Sequence, residues 1–183
     1  MEVDLEKKAD SVWTIGHSTR AAGEFNEILF AHRITALVDV RSFPGSGRYP
    51  HFNKPALSRN LEASGILYAH SAKLGGRRRP APNSKNTAWK NASFRAYADY
   101  LETEEFKEGI EDLLEIARTK RTAIMCAEAL WWRCHRSLIA DFLKAQGAEV
   151  THIIDSKKSE AHPYTSAARI VAGQLSYAGM FLE

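Results

Sequence analysis

A chain of 183 residues is about one domain on the usual length scale and is long enough to bury most of an ordinary core. No run approaches the roughly 18 apolar residues of a membrane span, Met1 to Ser11 hold no signal-peptide stretch, and two cysteines do not make a disulfide framework, so a cytoplasmic protein without a membrane partner is expected. The net charge of +3 conceals an asymmetry: Arg41 to Arg95 holds eleven Lys or Arg and one acid, Glu62, while the remainder carries fourteen basic and twenty-one acidic residues. That pattern suits either a positive surface for an anionic ligand or a set of solvated loops.

In chain order, Val12 to Ile15 reads as a first strand, and Ala22 to His32 places Phe25, Ile28 and Leu29 at helical spacing. Ala36 to Val40 is a second short strand-forming run. A Pro- and Gly-rich loop, Phe43 to Pro55, leads to Ala56–Ala63, whose Leu57 and Leu61 lie one helical turn apart before Gly65 ends the segment. Ile66 to His70 is a third strand. Leu74 to Ser93 is too polar and too broken for a regular element, and at that length such a loop is usually functional or mobile.

Ser93 can cap a helix bearing Phe94, Tyr97 and Leu101, and Thr103 can cap another bearing Phe106, Ile110, Leu113 and Leu114, the pair forming one bent helix or two. Thr122 to Met125 is a fourth strand; Ser137 to Gln146 is amphipathic through Leu138, Ile139, Phe142 and Leu143; Val150 to Ile154 is a fifth strand. From Lys157 onward only Ala167 to Leu175 shows a short helical patch. Alternating strands and helices predict an α/β protein, three-layer α/β/α with a mostly parallel sheet of about five strands, folded as a single domain over 1–183 with 157–183 as a C-terminal wrapping segment.

In a parallel sheet the carboxyl ends of all strands share one edge, where open α/β sheets bind ligands. Strand one delivers His17. Strand two ends in Asp39-Val-Arg41, whose period of two puts both charges on one face. Strand three leads to Arg77, and strand four delivers Cys126 and Glu128. The segment Cys126 to Arg136, joining an apolar run to a helix, packs two thiols, a carboxylate, an imidazole and two guanidiniums into eleven residues.

Each group has a structural reading beside the functional one. Asp39 and Arg41 suit an ion pair that orients a loop; His17 suits a helix cap or a bond to a backbone carbonyl; Cys126 suits a buried small hydrophobe. Cys134 and His135 are flanked by Arg133 and Arg136 near a helix start, surroundings that stabilise a thiolate or hold a phosphate. Glu128 opposes both, and suits pairing with an arginine or proton transfer.

The histidines and cysteines show no C-x2-C or H-x3-H spacing, so no metal is assigned, and neither a Walker A loop nor a G-x-G-x-x-G names a cofactor. Phe43, Tyr49, Phe52, Trp89, Phe94 and Tyr97 stand among the basic residues, an interleaving that single-stranded nucleic acid or a nucleotide would use, and that cores and interfaces share.

The succession Thr14-Ile-Gly-His-Ser18, Val38-Asp-Val-Arg-Ser-Phe-Pro44, Leu74-Gly-Gly-Arg77, Cys126-Ala-Glu128, Arg133-Cys-His-Arg136 and His162-Pro-Tyr-Thr165 closely resembles domain-of-unknown-function family 488 over nearly the whole chain. The resemblance implies a compact intracellular α/β fold and no particular reaction. A fainter likeness joins Leu37-Val-Asp-Val-Arg41 and Ile124-Met-Cys126 to rhodanese-type sulfurtransferases, implying Cys126 as a nucleophile. The loop departs from that pattern: six residues precede Arg133, and Glu128, Leu130 and two tryptophans replace small residues whose amides would face an anion.

One strand-end site is therefore expected, with Cys126, Glu128, His135, His17 and Asp39 as catalytic candidates and Arg41, Arg77, Arg133 and Arg136 as ligand-binding ones. Hydrolysis or group transfer on an anionic small molecule, possession of a thiol-dependent sulfurtransferase-like activity, and nucleic-acid binding through the 41–95 stretch are the alternatives.

Overall fold

A computed structural model describes residues 10–179, so the charged start at 1–9 and the last part of the C-terminal segment, 180–183, lie outside the described residues. The order is β1 (Ser11–Gly16), α1 (Ala22–Ala31), β2 (Ala36–Asp39), α2 (Lys54–Ala63), β3 (Leu67–His70), α3 (Ala92–Tyr100), α4 (Glu104–Thr119), β4 (Thr122–Cys126), α5 (Arg136–Ala145) and β5 (Glu149–Ile153). Three short strands close it: β6 (Ser159–Ala161), β7 (Arg169–Val171) and β8 (Gln174–Ser176).

The main sheet has six strands in the order β3-β2-β4-β1-β5-β6, the first five parallel and β6 antiparallel on β5. The period of two divides the strand side chains between two cores. Leu37, Ala123, Met125, Ile15 and Ile153 pack with Phe25, Ile28 and Leu29 of α1 and Leu57 and Leu61 of α2. Val38, Ile124, Cys126, Val12 and Val150 pack with Tyr97, Phe106, Leu113, Leu138 and Leu143 from α3, α4 and α5. The result is the expected three-layer α/β/α arrangement. Each fully buried Leu or Phe contributes about 1.5–3 kcal/mol relative to exposure, which is why the helical apolar stripes are not free to turn outward.

β1 and β4 are neighbours at the centre, yet β1 continues through α1 and β4 continues through α5, on opposite faces. Their carboxyl ends therefore open onto a crevice between the departing chains, the topological switch point of such sheets.

Two local expectations are corrected. Asn91, not Ser93, caps α3: its Oδ1 accepts the amides of Ser93 at 2.9 Å and Phe94 at 3.2 Å, so Ser93 is one of the orphan donors a cap must satisfy. The stretch Ala167–Leu175 is not helical but belongs largely to the β7–β8 hairpin, because Ala172 (φ 49°) and Gly173 (φ 77°) form a two-residue turn in the left-handed region. The helices α3 and α4 are separate, with Thr103 Oγ1 accepting the Phe106 amide at 3.2 Å at the start of the second.

Candidate active site

A cleft of about 940 Å³ opens at the switch point. Its walls bring together His17, Arg41, Arg77, Cys126, Glu128, Arg133 and His135, with Cys134 beside them. Asp39 and Arg136 do not line it; both are buried behind the wall, Asp39 at 0% and Arg136 at 1% exposure.

Backbone approach makes the site possible. The His17 amide donates to the Cys126 carbonyl at 2.9 Å and the Ser18 amide to that of Ala127 at 3.0 Å, so the loops after β1 and β4 are laced edge to edge. A Cβ on Gly16 would collide with the Glu128 carbonyl, so only glycine permits this approach. Ser18, at the lip, holds φ 51°, a left-handed conformation rarely adopted by a non-glycine residue and one that accumulates at functional sites.

On the α1–α2 side, Asp39 and Arg41 form the orienting pair. Arg41 Nε donates to Asp39 Oδ1 at 2.9 Å and one Nη to Oδ2 at 2.6 Å, while the Tyr68 hydroxyl donates to Oδ2 at 2.7 Å. Arg41 also donates to the Phe52 carbonyl at 2.8 Å and to His17 Nε2 at 3.3 Å. A guanidinium only donates, so His17 Nε2 is an acceptor and its Nδ1–H donates to the Ser18 carbonyl at 2.9 Å. Burial, with help from the Arg41 charge, lowers His17 to about pKa 4. It is thus a neutral ring, stacked on Phe52, whose bonds steer Arg41 toward the cleft.

On the α5 side, the Sγ atoms of Cys126 and Cys134 are 2.8 Å apart and neither is in a disulfide. His135 Nε2–H donates to the Val40 carbonyl at 2.9 Å, which leaves Nδ1 facing Cys134 Sγ at 3.4 Å. Arg136 donates Nε–H to Cys126 Sγ at 2.9 Å, Nη–H to Thr14 Oγ1 at 3.1 Å and Nη–H to the Glu128 carbonyl. Burial pushes both thiols up. For Cys134 the hydrogen bond from Cys126, the adjacent His135 and the Arg136 guanidinium outweigh burial and hold it well below the ordinary thiol range, while Cys126, facing that charge, is pushed up.

The Glu128 side chain is exposed at the cleft, and among the described residues it makes no ion pair with an arginine. Its carbonyl faces Cys126 Sγ at 3.6 Å, where the rhodanese-type loop would present an amide. Of the basic stretch, Arg41, Arg48 and Arg77 reach the cleft. Lys73 instead pairs with Asp112 and Glu108, Arg78 covers the Tyr100 ring, and Arg95 bonds the Trp89 carbonyl. Phe52 and Tyr97 are core residues, whereas Phe43 is 70% exposed under the Arg77 guanidinium. Trp131 is buried, stacked on His152, with Trp132 half exposed beside it.

Behind Arg136 runs a buried polar chain that single-residue reading missed. Thr14 Oγ1 meets His152 Nδ1 at 2.7 Å, His152 Nε2 shares one proton with His162 Nδ1 at 2.8 Å, and His162 Nε2–H donates to Asp141 Oδ1 at 2.9 Å. The available signal was a polar residue in each of two apolar strands, Thr14 and His152, which the parallel register places side by side. Burial, then the neighbouring His162 and Arg136, lower His152 to about pKa 2.

These two lowered histidines predict acid sensitivity. Unfolding restores both to the ordinary value near 6.5, so the unfolded chain binds more protons below that pH and stability falls as pH drops from about 6.5 toward the folded values. Between about pH 6 and pH 5 the slope approaches 1.4 kcal/mol per pH unit for each histidine. Urea denaturation at stepped pH should show this loss before most carboxylates titrate; a flat profile from neutrality to pH 5 would contradict it.

The arrangement defines an α/β protein with a cationic, thiol-bearing cleft at its switch point. The chain belongs to the family described as Domain of unknown function DUF488, whose profile matches residues 21–143. That span holds the Asp39–Arg41 pair and the whole Cys126–Arg136 segment, while Gly16, His17 and His162 fall outside it. No curated protein and no solved structure matches the chain. Among the described residues no helix is long and apolar enough to cross a membrane, and no group of three or more His, Cys, Asp or Glu is arranged to hold a metal ion.

Proposed function

We propose that the chain is a cytoplasmic group transferase or hydrolase that acts on an anionic small molecule, with the Cys134–Cys126 pair as its nucleophile. Arg136 carries the reading. It is a guanidinium at 1% exposure whose hydrogen-bond partners are a thiol sulfur, a hydroxyl and backbone carbonyls, with no carboxylate among the described residues. A buried charge without a counter-charge costs several kcal/mol, and a thiolate in the pair it touches offsets that cost. Such a thiolate, at the floor of a cleft, is an activated nucleophile.

Arg48, Arg77 and Arg133 line the cleft against the single carboxylate of Glu128, and Arg41 lines it with its charge paired to Asp39, a balance that supports an anionic ligand. In this reading His135 Nδ1 takes the Cys134 proton, Glu128 at the lip moves protons to and from the leaving group, and His17 and Asp39 position Arg41. The free thiols suit a reducing compartment. The same thiolate suits the sulfurtransferase-like variant of the reading, with sulfur as the group transferred.

The test is the pH dependence of alkylation by iodoacetamide together with the ultraviolet absorbance of the thiolate. One thiol per chain should be ionised and reactive well below the ordinary free-cysteine value near 8.5. Two slow, ordinary thiols by both measurements would remove the nucleophile.

A second reading is favoured by Phe43, Tyr49 and Phe94, which line the same cleft beside Arg77 and Arg48. Rings next to cations suit a nucleotide base or a single strand. Binding of single-stranded DNA or RNA that weakens steeply with salt would support it, and salt-insensitive binding or none would count against it.

A further inference from the structure

The nucleophile reading uses one sulfur, and the cleft holds two. Resting on that reading, we propose that Cys134 and Cys126 form a dithiol exchange centre whose substrate is a small anionic disulfide, with Cys134 attacking and Cys126 resolving. Both sulfurs line the same cleft, both are free, and they already touch at 2.8 Å across the loop between β4 and α5. A group bonded to Cys134 therefore lies within reach of Cys126.

The steps balance without a further reagent. The Cys134 thiolate attacks one sulfur of the substrate RS–SR; that S–S bond breaks, and the first RS⁻ leaves with the electron pair. Cys126 then gives up its proton to this departing thiolate, attacks Cys134 Sγ, and displaces the second RS⁻ as the Cys126–Cys134 bond forms. The protein dithiol loses two electrons and the substrate gains them.

Arg136 gives the direction. In the dithiol state its guanidinium has the shared negative charge of the sulfur pair beside it; in the disulfide state that charge is gone and the buried cation has no anion among its partners. That loss makes the internal disulfide one that ordinary thiols reopen readily, so the exchange runs forward under an excess of the disulfide substrate and is reversed by added thiol. Specificity comes from Arg48, Arg77 and Arg133 on the walls, which attract a carboxylate-bearing substrate and repel a cationic one.

The probe is glutathione disulfide, added in excess to the reduced full-length chain, followed by an acid quench, alkylation and mass measurement. The wild type should lose both alkylatable thiols together, without retaining glutathione, and regain them with dithiothreitol. Cys126→Ser should accumulate one glutathione on Cys134, and Cys134→Ser should react at least about ten-fold more slowly, as a thiol without activation does. Cationic cystamine should react more slowly with the wild type than glutathione disulfide does. A wild type that stops at a glutathione adduct, or that does not react, overturns the exchange centre, and this result needs no variant to fold. Fast alkylation at acidic pH alongside either result leaves the nucleophile standing; slow alkylation removes both.

Discussion

Replacing Asp141 by alanine is expected to lower the unfolding free energy by about 3–5 kcal/mol, the cost of removing one partner from a buried charged network. The carboxylate is fully buried on α5. Oδ1 accepts from His162 Nε2 at 2.9 Å and from the Thr165 amide at 2.9 Å, and Oδ2 accepts from Thr165 Oγ1 at 2.6 Å and the Tyr177 hydroxyl at 2.8 Å. Alanine would leave four donors without an acceptor in a place that water does not reach. Asparagine keeps one carbonyl oxygen and should cost less, about 1–3 kcal/mol. Urea denaturation at neutral pH measures both. A loss below about 1 kcal/mol for alanine would mean that the donors find other partners, and the network would not be a structural support.

That carboxylate also explains why the C-terminal segment lies where it does. His162, Thr165 and Tyr177 all come from the stretch after β5, and all converge on one residue of α5. Through His162 and His152 the same chain reaches Thr14, and Thr14 accepts a hydrogen bond from Arg136. The segment thus braces the guanidinium that faces the cysteine pair, which gives the His162-Pro-Tyr-Thr165 stretch a physical role at some distance from the cleft.

What was legible in the sequence follows from locality. The strands β1 to β5 are short apolar runs between helical stripes, and the parallel rule then puts His17, Arg41, Arg77 and Cys126 at one edge without any knowledge of tertiary contacts. The side on which a strand-end residue faces is not local. Local pattern makes Asp39 a catalytic candidate or the partner of an orienting ion pair and Arg136 a ligand-binding one; in the fold Asp39 turns back to Arg41 and Tyr68, and Arg136 turns under the loop to Thr14 and Cys126. Cys126 and Cys134 are eight positions apart along an irregular loop, so their contact follows from the short 3₁₀ turn Trp131–Arg133, which no periodicity announces. The β7–β8 hairpin was hidden because its apolar residues fall at helical spacing by accident, and the Ala172–Gly173 turn decides the matter.

Arg136→Met is expected to slow alkylation of the cysteine pair at about pH 6 by ten-fold or more, since each pKa unit by which the thiolate is raised corresponds to about 1.4 kcal/mol and a factor of ten in its population. Methionine fills similar volume without charge. The pair can then take up a proton and become neutral, so the buried cation and the anion beside it vanish together, a replacement that is often neutral or stabilising in other buried ion pairs. Reactivity and stability should therefore separate: thiolate absorbance at acidic pH disappears while the urea midpoint moves little. Arg136→Lys keeps the charge and loses the planar fork that reaches Cys126, Thr14 and the Glu128 carbonyl at once, so it should recover part of the reactivity. A methionine variant that alkylates like the wild type at every pH would show that Arg136 is not the thiolate's counter-charge, and the observation on which the enzymatic reading rests would be gone.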